Sequence, residues 1–156
     1  MNNIICVYTG TKYNINHVNT LYNMVDRNMS QSYNFYCLTD NRGQNFNSNI
    51  KIIDVPKPVM NSWWNKMHLF NKQLNIEGDI LYMDLDVVIL NKLDKFFNNF
   101  DERKFCVIRD FGQPTTTINS SVIKYNLKWH SFIFDNYIKD KNKYDKMHGD
   151  QNVLTD

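Results

Sequence analysis

Short apolar runs alternate with segments of helical period along most of this chain. Residues 3–8 form an apolar, β-branched run that breaks at Thr9-Gly10, the pattern of a buried strand entering a loop. Val18, Leu21, Tyr22, Val25 and Met29 follow at three- and four-residue steps, predicting an amphipathic helix over 16–29. A second strand is predicted at 33–38, ended by the turn-forming cluster Thr39-Asp40-Asn41-Arg42-Gly43. A third, 50–55, is closed by Pro56 and Pro58. Residues 63–73 read as a helix, with Gly78 marking the way out of the next loop. Residues 80–83 are an apolar strand running directly into Asp84-Leu85-Asp86, with 87–90 continuing extended. Strands are also expected at 105–108 and 121–124, and Trp129, Phe132, Ile133 and Tyr137 mark a last helical stripe over 128–139.

Strands alternating with helices in this order predict a Rossmann-like α/β fold with a mostly parallel sheet flanked by helices and a short C-terminal part. The 156 residues suit one domain, 1–156, with no internal repeat or linker. In open α/β sheets ligands bind beyond the carboxyl ends of the strands. Thr9-Gly10, Asp40, Asp84, Asp86 and Asp110 all follow predicted strands, so they are expected along one edge.

Composition narrows the function classes. A hydrophobic content of 42% excludes a disordered chain, and a net charge of +2 without a basic run argues against nucleic-acid binding. Cys6, Cys37 and Cys106 lack paired spacing and sit in strand-like runs, as buried thiols of a reducing compartment do. The first apolar run is too short and lacks the basic leader of a signal peptide, and no apolar stretch would span a bilayer. A cytoplasmic protein with no transmembrane segment is therefore expected.

Asp84 and Asp86 carry the sharpest chemistry. In a regular strand their carboxylates share a face, where mutual repulsion is relieved by a divalent cation such as Mg²⁺ or Mn²⁺ that also bridges to substrate phosphates. A solvated turn after a strand is the plain alternative. The sequence Asp-Leu-Asp-Val-Val after an apolar strand also resembles the nucleophile motif of haloacid dehalogenase-type phosphatases. That motif ends the first strand of its domain, whereas three predicted strands precede it here.

With its neighbours, the triplet resembles the DxD motif of GT-A-fold glycosyltransferases, most closely family 8-like bacterial and viral members. The matching segments run in order along the chain: Val7-Tyr8-Thr9-Gly10 with Tyr13, Phe35-Tyr36-Cys37-Leu38-Thr39-Asp40, Trp63-Trp64-Asn65-Lys66, Leu81-Tyr82-Met83-Asp84-Leu85-Asp86, Arg109-Asp110, Asn119-Ser120-Ser121-Val122 and His148-Gly149-Asp150-Gln151. The resemblance implies a hexosyltransferase that takes its sugar from a nucleotide donor, UDP-hexose first, and passes it to an acceptor hydroxyl with retention of configuration. The acceptor would be a glycan, a lipid-linked molecule or a protein. A catalytically inactive nucleotide or carbohydrate binder of the same fold is the other reading the resemblance leaves open.

The same resemblance implies residue roles. Asp84 and Asp86 would hold Mn²⁺ or Mg²⁺, with Leu85 between them against the donor. His148 would be a third metal ligand, although the family's metal histidine usually comes from a later segment, with Gly, Lys and Pro-Trp following, that this sequence does not contain. Thr9, Gly10 and Tyr13 would cradle nucleobase and ribose, Tyr13 alternatively being a helix-capping aromatic. Lys66 would contact diphosphate or sugar, or else be solvated. Asn119, Ser120 and Ser121 would lie beside the donor sugar, where Ser121 departs from the smaller residue common in relatives. Asp110 would bind donor hydroxyls, or pair with Arg109. Asp150 and Gln151 would stand near the anomeric carbon, the amide stabilising the oxocarbenium-like centre and the carboxylate binding hydroxyls or acting as base. Trp63 and Trp64 are read chiefly as packing residues, one of them alternatively serving as a sugar platform as well, and His17, His68 and His130 as structural.

Overall fold

The computed structural model describes residues 1–112 and 118–156. Six strands form one sheet in the order β3-β2-β1-β4-β6-β5: β1 is Asn2–Tyr8, β2 Tyr33–Thr39, β3 Ile50–Asp54, β4 Asp79–Met83, β5 Cys106–Arg109 and β6 Ile118–Asn126. The pairs β1–β2, β2–β3 and β1–β4 are parallel. Strand β6 runs antiparallel between β4 and β5, with a register irregularity at Val107/Ile108. The sheet is thus mostly parallel, as the α/β alternation predicts, with one reversed strand inserted where the periodicity showed only two short runs.

Both faces of the sheet are covered, which is why its central strands read as unbroken apolar runs and not as alternating ones. Ile4, Cys6, Tyr8, Phe35, Cys37, Leu81 and Met83 point to one face, under Val18, Leu21, Tyr22 and Val25 of α1 (Ile15–Asn28). Ile5, Leu38, Ile80, Tyr82, Ile123 and Tyr125 point to the other, where Trp64, Met67, Leu69 and Phe70 pack with Tyr137 and Val153. Helix α1 begins in a capping box: Asn14 accepts from the Asn16 amide at 3.0 Å, and His17 Nδ1 accepts from the Asn14 amide at 3.3 Å. His17 is thereby part of the helix start.

The segment read as one helix over 63–73 is a 3₁₀ helix, Ser62–Phe70, followed by a single 3₁₀ turn, Lys72–Leu74. Asn71 divides them. Its backbone is extended and its side-chain oxygen accepts from the Gln73 amide at 2.9 Å, so local hydrogen bonding replaces continuation of the helix. The stripe over 128–139 is split into α3 (Leu127–His130) and α4 (Phe132–Lys139), while α2 (Lys95–Asn98) and α5 (Lys141–Tyr144) are short turns of helix. Helix α6 (Asp150–Thr155) opens on the acid–amide pair singled out in the sequence.

Two buried polar groups hold the reversed strand and the loops in place. Lys124 of β6 is fully buried, pairs with Asp79 at 2.8 Å and donates to the carbonyls of Phe100 and Asp101. His130 donates from Nε2 to the Arg103 carbonyl at 3.2 Å and accepts at Nδ1 from the Asn126 amide. Gly78, at φ +92°, lies so close to the backbone of Met1 that an added Cβ would stand 2.7 Å from its carbonyl oxygen. No helix among the described residues is long and apolar enough to cross a membrane.

Candidate active site

A cavity of about 460 Å³ opens over the carboxyl ends of β1 and β4. This is the crevice position expected of an open parallel sheet. Thr9, Lys12 and Tyr13 enter it from the loop after β1, Lys66 and Trp63 from the 3₁₀ helix, Asp84 and Asp86 from beyond β4, Ser120 and Ser121 from β6, and His148 through Asn152 from the start of α6. Segments far apart in sequence therefore meet at one place because their strands are neighbours.

The acidic triplet is presented by a turn, not by strand alternation. Strand β4 ends at Met83, and the Val87 amide closes the turn on the Asp84 carbonyl at 3.3 Å. The Asp84 amide donates to the Ser121 carbonyl at 2.9 Å, which ties the turn to β6. Leu85 is buried in the core beneath α1, and both flanking carboxylates line the cavity. The apolar residue between the acids anchors the turn that aims them.

Lys66 is the electrostatic hub. Its ammonium lies 3.1 Å from Asp84 Oδ1, 3.1 Å from Asp150 Oδ2 and 2.9 Å from Ser120 Oγ. It also stands 4.8 Å over the ring of Tyr82, whose hydroxyl donates to Asp84 Oδ1. With its side chain only 10% exposed, Lys66 is no solvated surface lysine. Burial, and then the neighbouring Asp84 charge, push the Tyr82 phenol well above its ordinary value, so this hydroxyl remains a donor. Asp150 Oδ2 is buried and, among the described residues, receives no well-angled hydrogen bond, Lys66 being its one close cation.

At the other wall the Tyr13 hydroxyl donates to Asp86 Oδ2 at 2.6 Å. Its phenol is raised by burial and by that bond. Lys12 stands 4.0 Å from Asp86 and 4.6 Å over the Tyr13 ring. Both members of this ion pair are more than half exposed, so it contributes little to stability. It does place positive charge at the cavity rim.

Asp84 and Asp86 supply two carboxylates of the kind a hard, oxygen-loving cation takes, but two do not complete its coordination. Among the described residues no three His, Cys, Asp or Glu side chains gather as a metal cluster. His148 lines the same cavity without completing one with Asp84 and Asp86.

Several candidate residues are not among those that line the cavity. Asp110 accepts from the Gly112 amide at 3.1 Å, and Asn119 accepts from the Ser121 amide at 2.9 Å, each shaping its own loop or strand end. Gly10 adopts φ +70° with open space around its Cα and does not line the cavity, although Thr9 beside it does. Five lining residues were given no role by the sequence reading: Val7, Lys12, Tyr82, Gly149 and Asn152. Tyr82 left a signal there, because residues two apart in a strand share a face and it precedes Asp84 by two. The paired tryptophans separate. Trp64 is buried and stacks on Tyr137 with ring centroids 5.7 Å apart, whereas Trp63 lines the cavity and is 56% exposed.

No protein-family model matches the sequence, and no curated protein matches it either. Solved structures do share its fold. An active-site glutamine-to-glutamate variant of LgtC superposes with a TM-score of 0.70 at 16% identity, over 97% of this chain and 68% of LgtC. The glycosyltransferase GlyE of Streptococcus pneumoniae TIGR4 does so with a TM-score of 0.70 at 18% identity, over 99% of this chain and 43% of GlyE. Mouse xyloside xylosyltransferase 1 matches with a TM-score of 0.60 at 13% identity, over 99% of this chain and 81% of its own. This chain thus has the GT-A architecture of these glycosyltransferases, and spans less than half of GlyE.

Proposed function

We propose that this protein is a metal-dependent glycosyltransferase that moves a hexose from a nucleotide sugar, UDP-hexose in the first instance, to an acceptor hydroxyl. The observation that carries the reading is the convergence of Asp84, Asp86, Lys66, Asp150 and Gln151 on one cavity at the carboxyl edge of a GT-A sheet. LgtC has been solved as a galactosyltransferase in complex with donor and acceptor sugar analogs, and this chain shares its fold. The phosphatase reading needs its nucleophile after the first strand, whereas the triplet here follows the fourth.

In this reading Asp84 and Asp86 hold Mn²⁺ or Mg²⁺, which when bound would neutralise charge on the departing nucleoside diphosphate. Lys66 adds a fixed positive charge in the same space, held by Asp84, Asp150 and Ser120 and so needing little reorganisation as charge develops. Tyr13 and Thr9 flank the nucleoside. Asp150 and Gln151, at the first turn of α6, face the transferred sugar, the carboxylate accepting from its hydroxyls. Ser120 and Ser121 form the floor beside it. Retention of configuration and a glycan, lipid-linked or protein acceptor complete the proposal by analogy with the fold.

The test is binding and turnover on a panel of UDP-sugars with Mn²⁺. Ligand binding to the folded state raises the melting temperature, and UDP release reports transfer or hydrolysis. Asp84→Asn and Asp86→Asn are each expected to weaken Mn²⁺-dependent UDP binding at least about tenfold, which is about 1.4 kcal/mol, with the fold retained. If no nucleotide sugar binds in the presence of Mn²⁺, the proposal fails. One observation favours a second reading, a binder without turnover: the Lys66 ammonium already pairs with both Asp84 and Asp150, where it competes with a divalent cation. UDP-sugar binding without UDP release across the panel would decide for that reading.

A further inference from the structure

Trp63 is a large aromatic side chain left 56% exposed while its neighbour Trp64 fills the core. Packing therefore does not account for it. It lines the cavity on the side of α6, its indole Nε1 3.9 Å from where a Cβ on Gly149 would stand. Asp150, Gln151 and Asn152, which line the cavity beside it, bring a carboxylate and two side-chain amides. An exposed indole face next to amide and carboxylate groups matches the two-sided chemistry of a pyranose. The ring's C–H face is apolar and packs on an aromatic plane, and its hydroxyls need donors and acceptors at the edge. The charged groups suited to a diphosphate, Asp84, Asp86, Lys12 and Lys66, come from the β1 and β4 ends and the 3₁₀ helix. Glycine at 149 adds no side chain between the indole and the start of α6.

We propose that Trp63 is the stacking platform of an acceptor-sugar subsite, with a pyranose lying on its indole and its hydroxyls bonded by Asn152. This rests on the glycosyltransferase reading and adds to it the acceptor class: a glycan ending in a pyranose, in place of a bare protein or lipid hydroxyl. The exposure of Trp63 puts the subsite on the solvent side of the cavity.

The experiment uses the full chain labelled with ¹⁵N at its tryptophans, which number three, the Trp63 indole signal being the one lost in Trp63→Phe. UDP with Mn²⁺ is added first, then methyl β-D-galactopyranoside, methyl α-D-glucopyranoside or lactose. The expected result is a saturable shift of the Trp63 signal with at least one glycoside in the UDP-loaded protein. Trp63→Ala is expected to raise the KM for that acceptor up to about tenfold, the range of one aromatic contact, with UDP affinity and the KM for donor unchanged. Trp63→Tyr should restore most of the loss, which a merely structural role would not do. If UDP binds but no glycoside moves the Trp63 signal, the subsite is refuted while the donor reading stands. If Trp63→Ala weakens UDP-sugar and acceptor equally, the indole belongs to the donor pocket and the inference falls. Absence of UDP binding refutes the glycosyltransferase reading itself.

Discussion

Lys66 sits between two carboxylates from segments far apart in sequence, and its removal would leave both without their cation. Breaking a buried pair by deleting one partner costs far more than the pair contributes, because the remaining charge stays desolvated. Lys66→Met keeps most of the side chain's length and removes the ammonium. It is expected to lower unfolding free energy by about 3 kcal/mol in urea titrations at neutral pH. Lys66→Arg, which retains charge, should lose much less. A Lys66→Met protein as stable as the parent would mean that Asp84 and Asp150 are solvated in solution. The sequence marked Lys66 as a candidate beside two tryptophans, but its ion pairs were not legible there. Asp150 is more than eighty positions away, and pairing over that distance is decided by the sheet.

Among elements, the 3₁₀ helix Ser62–Phe70 shows how a local pattern can be read correctly as helical and still be wrong in kind. Its apolar residues pack against Tyr137 and Val153, and its His68 is fully buried. His68 donates from Nε2 to the Pro58 carbonyl at 3.0 Å, and Asn71 Nδ2 lies 3.4 Å from its Nδ1. Burial holds the imidazole below its ordinary value of 6.5. The folded protein therefore keeps His68 neutral where the unfolded chain would take up a proton. Its contribution is complete above the unfolded value and is lost as pH falls through 6.5 toward the depressed folded value. The urea midpoint should fall between about pH 7.5 and about pH 5.5, and His68→Gln should flatten that slope. Equal slopes in the two proteins would place the titration elsewhere. The strands were more legible than this helix, since β1, β2 and β3 announce themselves as apolar runs bounded by turn residues. Strand β6 was only half seen: its polar start, Ile118-Asn119-Ser120, pairs through backbone and leaves no apolar pattern.

Over the whole molecule, Gly78 joins the loop before β4 to the beginning of β1. Its φ of +92° disfavours any side chain, and a Cβ would stand 2.7 Å from the Met1 carbonyl oxygen, closer than real contacts allow. Gly78→Ala is expected to lower stability by about 2 kcal/mol, the sum of backbone strain and displacement of Met1, measured by thermal or urea unfolding. A neutral effect would show that the chain's first residues shift without loss. Two features of the protein were fixed by local chemistry alone. Apolar runs that must bury both faces specify central parallel strands, and residues that follow them, Thr9, Asp84 and Asp86, fall at the carboxyl edge whatever the strand order. Tertiary structure decided the rest: that β6 reverses between β4 and β5, that Leu85 sinks into the core to turn its flanking acids outward, that Lys66 lies between Asp84 and Asp150, and that of two adjacent tryptophans one is core and the other faces the cavity. These depend on which distant segments become neighbours, and local propensity and periodicity carry no information about contacts across the sheet.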